Sequence, residues 1–374
     1  MYRIFTNGIL IVCSMILFTI SFTYGQDYPD EFLNGEIHKI QSQILEQERI
    51  ILVYLPTNYA ESNISYPVHY ITDAPATANL FFDLMRLHAF TDEMPQSIVI
   101  GLQSNDREFN LHPEKGAKKY LDFIENEVIP FVEKNYRTKP FRSIAGHSLG
   151  GGFAIYAFLS RTNLFNLCIA GSPYPLEYLT NMLVNKEFLN KATEHRFLYC
   201  SIGTENDIPE LHFQSFKKAV LEIAPQNLHY SFLINQGESH ISNIAVNFQN
   251  GLEDFYQDWQ FVLPDTLSAP INEILANHYK NLSQRVGYSV RPSEWEVIFP
   301  AMDKLAKRGD FKNAIQALEY CIELYPQSDQ AYAFLARAYV STGDTESAQA
   351  YLEKALSINP NNQFALEIKN MLNR

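Results

Sequence analysis

Phe141-Arg142-Ser143-Ile144-Ala145, then Gly146-His147-Ser148-Leu149-Gly150, then Gly151-Gly152-Phe153-Ala154-Ile155-Tyr156-Ala157-Phe158 is the stretch that decides the fold. Its middle five residues match G-x-S-x-G, the five before them read as a short strand, and those after read as the start of a helix. A serine on so sharp a strand-to-helix turn is held in a strained conformation that projects its hydroxyl, and its neighbours two residues away must be small. The pattern therefore predicts a nucleophile elbow, with Ser148 as the reactive residue.

Upstream of the elbow, Glu36–Ile40 and Glu48–Pro56 are rich in β-branched residues and predict paired strands at one sheet edge. Val68–Asp73 and Ser97–Leu102 predict buried strands, with a helix over Ala78–His88 between them and a polar loop from Gln103 to Glu108. An amphipathic helix is expected from about Lys118 to Tyr136. Downstream, strands over Leu164–Ala170, Phe197–Ile202 and Leu228–Ile234 alternate with helices over Tyr178–Phe188 and Phe213–Ile223. Such alternation predicts an α/β fold, a mostly parallel sheet flanked by helices, with functional loops at the carboxyl ends of its strands.

A serine hydroxyl becomes nucleophilic only when a base takes its proton, and an acid fixes the tautomer of that base. In the α/β-hydrolase order these follow as serine, acid, histidine, each on a loop after a strand. His240 stands in the loop after the last expected strand, and Glu205 and Asp207 both stand after the strand ending at Gly203. Of its competitors, His69 and His229 lie inside strands, His88 and His278 fall in helical segments, His38 and His112 precede the serine, His147 is the variable position of the elbow, and His195 sits at the wrong end of a strand. The oxyanion of the intermediate needs backbone donors. One is the N–H of Leu149, and the second belongs to the loop Ala74-Pro75-Ala76-Thr77, where Pro75 has no N–H to give.

Beyond Asp265 the pattern changes. A helix is expected over Ile271–Val286, and then Gly309 and Gly343, Ala314 and Ala348, and Pro326 and Pro360 recur 34 residues apart. That period and the spacing of small residues describe tetratricopeptide repeats, with Gln363–Leu372 as a capping helix. At the other end, Arg3, an apolar run from Ile9 to Phe22 and small residues up to Gly25 predict a secretory signal and an exported, periplasmic or secreted protein. The run is short for a retained membrane anchor, so no stable span is expected after processing. The domains read as signal 1–25, α/β-hydrolase 26–265, helical linker 266–294 and repeats 295–374.

With 46% hydrophobic and 19% charged residues the chain is globular, and its formal charge of −13 disfavours a nucleic-acid partner. Outside the signal only Cys168, Cys200 and Cys321 remain, an odd number with no zinc-like spacing, so neither a disulfide framework nor a metal site is indicated. No cofactor is expected.

Several stretches together resemble the esterase family that includes esterase D, the enterobactin esterases and the mycobacterial mycolyltransferases. They are Tyr54-Leu55-Pro56, Pro67–Asp73, Ile98–Gly101 with Asp106-Arg107, Tyr136-Arg137-Thr138, Ala145–Gly151, Ser172-Pro173 and Gly237-Glu238-Ser239-His240. The resemblance implies ester hydrolysis or acyl transfer through Ser148 with His240 as base. It favours Asp207 over Glu205 as the acid, although some enterobactin esterases manage with a serine-histidine pair. Arg107, His147 and Tyr174, in or beside these stretches, are the candidate substrate contacts. Ala74-Pro75 departs from the usual Asp-Gly start of the oxyanion loop, and the short segment His112–Lys119 leaves little chain for a lid. The expected function is a serine esterase acting on a small-molecule ester, with repeats available to a protein or peptide partner. The altered loop also motivates a rival expectation, an impaired binding protein, and an acyltransferase would use the same three side chains.

Overall fold

The computed structural model describes residues 35–184, 195–204 and 210–372. The expected signal at 1–25, both acid candidates Glu205 and Asp207, and residues 185–188 of an expected helix lie outside them. Eight strands form one sheet: β1 (Glu36–Ser42), β2 (Gln47–Tyr54), β3 (Tyr66–Thr72), β4 (Ile98–Leu102), β5 (Thr138–His147), β6 (Leu167–Gly171), β7 (Arg196–Gly203) and β8 (Leu228–Asn235). Their order in space is β1-β2-β4-β3-β5-β6-β7-β8. β1 and β2 run antiparallel at one edge, β2 also pairs antiparallel with β4, and every pairing from β4 to β8 is parallel. The α/β expectation is met, and the sequence explains it. β3, β4, β6 and β7 are buried at every position, as parallel strands covered on both faces must be.

The alternation along β5 divides the core. Ile144 faces one layer, built from α3 (Ala117–Phe123), α4 (Ile129–Asn135), α5 (Leu149–Ser160), α6 (Leu176–Val184) and α7 (Glu210–Ile223). Phe141 and Ala145 face the other, built from α1 (Ala76–Phe90), α8 (Asn243–Tyr256) and α9 (Ile271–Val286). The helix expected from Lys118 to Tyr136 is α3 and α4 joined through a π-helical turn at Ile124–Val128, an irregularity invisible to a 3.6-residue period. The expected polar loop after β4 contains a short helix, α2 (Arg107–Leu111), whose start is fixed by the Asp106 carboxylate accepting from the Phe109 N–H at 3.0 Å.

The second core layer does not stop at the sheet. Tyr288 packs its ring on Phe141 at 6.0 Å, and the same apolar cluster runs through α9 and α10 (Glu294–Phe299) into α11 (Phe311–Leu324) and α12 (Asp329–Thr342). α13 (Thr345–Ile358) and α14 (Gln363–Leu372) complete the array. The 34-residue period has a local cause at each repeat. Gly309 and Gly343 take φ of +79° and +81°, and Asp310 and Asp344 then cap α11 and α13 through the N–H groups of Asn313 and Ser347. No helix among the described residues is long and apolar enough to cross a membrane.

Candidate active site

β5 delivers Ser148 at the carboxyl edge of the sheet, directly before α5. Its φ of +57° and ψ of −125° put a non-glycine residue in a region that L-residues avoid, the strain expected of an elbow. The turn is locked from both sides. The Ser148 N–H donates to the Gly171 carbonyl at 2.8 Å, and the Ser148 carbonyl accepts from Gly152 at 2.9 Å and from Tyr174 at 3.1 Å. A Cβ on Gly146 would collide with the Thr72 hydroxyl and the Gly150 carbonyl, and one on Gly150 would lie 2.5 Å from Asp73 Oδ2. Both glycines are thus required by the close approach of β3 to the turn. Leu149 opens α5, so its N–H points outward at the positive end of the helix dipole.

The loop after β8 brings His240 across to this turn. Its ring centroid lies 4.7 Å from that of His147, the residue before the serine, at an interplanar angle of 59°. His147 is buried, and burial, reinforced by the charges of His240 and Arg107, pushes its pKa down to about 3, so its ring is neutral beside His240. The loop is pinned rather than draped. The Thr204 N–H donates to the Glu238 carbonyl at 2.9 Å, and the Gly237 N–H donates to Thr204 Oγ1 at 3.0 Å.

Beneath the loop lies a polar network with no part in the sequence reading. Asn235 Nδ2 donates to Asn243 Oδ1 at 2.7 Å, Asn243 Nδ2 donates to Ser172 Oγ at 3.0 Å, and Ser201 Oγ donates to Asn247 Oδ1 at 2.8 Å. The amides stand on α8 and at the end of β8, and the hydroxyls of Ser201 near the end of β7 and of Ser172 just after β6 complete the network. Their signal in the sequence is Asn243, Asn247 and Asn250 at helical spacing, a polar stripe that a search for apolar periodicity passes over.

A second constellation stands on the opposite side of Ser148. Asp73 follows β3 at a φ of +60°, and its carboxylate accepts from Arg107 Nε at 2.7 Å and Arg107 Nη2 at 2.9 Å. Arg107 Nη2 also reaches the His147 carbonyl at 3.5 Å, which ties the guanidinium to the peptide preceding the serine. Tyr174, 52% exposed, stands at the rim, its ring edge-on to His112 at 6.2 Å. Among the described candidates, the fold therefore gathers Ser148, Leu149, His147, His240, Arg107 and Tyr174 around one turn. A cavity of about 780 Å³ exists elsewhere, between α1, α8 and α9, lined by residues such as Tyr256, Trp259, His278 and Arg285, and none of the candidates borders it. No cluster of His, Cys, Asp or Glu suited to a metal ion occurs among the described residues.

Several known proteins resemble this chain in sequence or in fold. The chain is 25% identical to the ferri-bacillibactin esterase BesA of Bacillus subtilis, over 48% of this chain and 75% of that one. It is 30% identical to the uncharacterized protein YjcH of the same organism, over 47% and 76%. An IroE-like serine hydrolase from Shewanella oneidensis superposes with a TM-score of 0.64 at 21% identity, covering 78% of this chain and 99% of that one. An uncharacterised protein from Capnocytophaga ochracea superposes at 0.74 and 18% identity, covering 90% and 98%, and these two likenesses speak to the fold. Residues 305–367 match the tetratricopeptide repeat, and residues 42–269 match the family described as "Putative esterase". Because that second match spans more than half of the sequence, the chain belongs to this esterase family and carries tetratricopeptide repeats behind its esterase fold.

Proposed function

We propose that the protein is a serine carboxylic-ester hydrolase working through an acyl-enzyme on Ser148. His240 takes the serine proton as general base and returns it to the leaving alcohol, and Asp207, with Glu205 as the alternative, holds the His240 tautomer. The Leu149 N–H receives the developing oxyanion, and Arg107, His147 and Tyr174 are the groups nearest the substrate. The observation that carries this reading is the His240 ring packed 4.7 Å from that of His147, which brings the base to the strained turn holding the nucleophile.

For the substrate we propose an ester-linked siderophore. Support comes from the ferri-bacillibactin esterase above and from a siderophore triacetylfusarinine C esterase of Aspergillus fumigatus, 29% identical over 39% of this chain and 60% of that one. Export through residues 1–25 and a protein or peptide partner on the repeats complete the proposal. The rival reading of an impaired binding protein draws on the Ala74-Pro75 loop, and an acyltransferase would prefer an added alcohol to water. Incubation with p-nitrophenyl butyrate, ferri-bacillibactin and a fluorophosphonate, with and without an added alcohol, separates them. The proposal expects turnover of both esters and a single adduct on Ser148, and an inert, unlabelled protein refutes it.

A further inference from the structure

An edge strand turns half of its backbone N–H and C=O groups away from its one neighbour, and those groups are a template for another strand. The edges of the described sheet are β1 and β8. β1 is protected by charge: Glu36 stands at its start, and Lys39 pairs with Glu48 of β2 at 2.9 Å. β8 reads Leu228-His229-Tyr230-Ser231-Phe232-Leu233-Ile234-Asn235 and holds no Asp, Glu, Lys, Arg or Pro. Its register against β7 continues without a bulge over all 8 residues. A chain of net charge −13 thus keeps one long, regular, uncharged strand at the rim of its sheet.

The direction of its backbone groups follows from the pairing. The Asn227 carbonyl accepts from the Arg196 N–H at 2.9 Å, so every second residue after it, namely His229, Ser231, Leu233 and Asn235, faces β7. Tyr230, Phe232 and Ile234 therefore turn both N–H and C=O outward, and among the described residues β8 pairs with β7 alone. Leu228 shares their direction, but its N–H already donates to the Pro225 carbonyl at 3.0 Å. Apolar side chains flank this edge on both faces. Phe232 packs on Phe213 and Phe216 of α7 at ring distances of 5.9 and 6.1 Å, while Tyr230 is 39% and Leu233 41% exposed.

We infer that β8 is a dimer interface, on which a second copy of this chain pairs antiparallel through its own β8 and joins the two sheets into one. The occupant must offer a strand of matching alternation and must approach without charge repulsion, and in a chain this acidic a second β8 meets both conditions. A two-fold axis beside Phe232 sets Phe232 against Phe232 of the partner subunit and Tyr230 against Ile234 of the partner subunit. Each of these pairs exchanges two backbone hydrogen bonds. That register uses the three outward-facing residues and leaves the Leu228 bond intact. It also closes at two copies, whereas β8 against β1 would leave an edge free at each end and grow into a filament.

The test is sedimentation velocity on the full chain across a dilution series, comparing wild type with Leu233→Lys and with Ile37→Lys, together with hydrogen exchange on wild type at the two ends of the series. Wild type should sediment at twice the chain mass and dissociate on dilution. In the dimer Leu233 lies diagonal to Leu233 of the partner subunit, so Leu233→Lys sets like charges across the axis and should raise the dissociation constant about tenfold or more. Ile37→Lys makes the same change on β1, at a side chain also exposed, and should leave the dimer intact. Hydrogen exchange needs no variant: peptides covering residues 228–235 should exchange about tenfold or more slowly in the dimer than in the diluted chain. A monomer at every concentration overturns the inference. So does a dimer that withstands Leu233→Lys with exchange in residues 228–235 independent of concentration, because its contact then lies elsewhere. Assemblies larger than a dimer that Ile37→Lys abolishes also overturn it, by setting β8 against β1. None of these outcomes touches the esterase reading, because no residue of β8 belongs to the proposed machinery.

Discussion

Burial sets what individual side chains of this protein can do at a given pH. His69, enclosed within β3 and bonded to the Ser143 hydroxyl at 2.6 Å, has its pKa pushed down to about 3 by burial, and His147 shares that value. Both rings are neutral in the folded chain and titrate near 6.5 when it unfolds, so between about pH 6.5 and 3 the unfolded state binds two more protons than the folded one. Stability contributed by these rings is complete above the unfolded pKa and is lost as the pH falls. The expected slope is about 2.7 kcal/mol per pH unit for the pair, at 1.36 for each proton. Urea midpoints from pH 6 to 4 should show it, and His69→Gln should flatten the slope by one proton. At the proposed base, His240→Ala should lower kcat by several orders of magnitude with p-nitrophenyl butyrate, as loss of a triad member does.

Among the elements, the loop that carries His240 depends on amides that touch no substrate. Asn243→Ala removes the acceptor of Asn235 and the donor of Ser172 at a fully buried position, which costs about 1–3 kcal/mol. The melting temperature should fall, and kcat should fall more than KM rises, because the base is displaced while the rim is intact. An unchanged kcat would show that the loop holds its place without the network. Sequence reasoning finds the strands, the elbow and the repeats because each has a strong local cause, namely apolar runs, paired glycines and a recurring glycine with its aspartate cap. It selects Ser148 and His240 by their order along the chain, and the fold brings the His240 ring to the residue before Ser148. It misses α8, whose inward face is partly asparagine, and it misses Asp73 as the anchor of Arg107, because a salt bridge between the end of β3 and the start of α2 has no local signature. The acid of the proposed triad is a choice between Asp207 and Glu205, and both lie outside the described residues.

At the scale of the whole molecule, the helical array is fastened to the amino half of the sheet. Tyr288 meets Phe141, seven residues and about 23 Å of strand before Ser148, so the anchor and the edge that carries Ser148 occupy opposite ends of β5. Tyr288→Ala should cost about 3–5 kcal/mol of docking and expose the segment around Pro264 to proteolysis, while the initial rate on p-nitrophenyl butyrate is retained. The central claim concerns the other end, where a strained serine is made reactive by an imidazole delivered from the far side of the fold. Its most direct test is intact-protein and peptide mass spectrometry during fluorophosphonate labelling of wild type and His240→Ala. The account predicts one adduct, on the peptide containing Ser148, formed orders of magnitude faster in wild type; equal rates in the two proteins, or an adduct elsewhere, would contradict it.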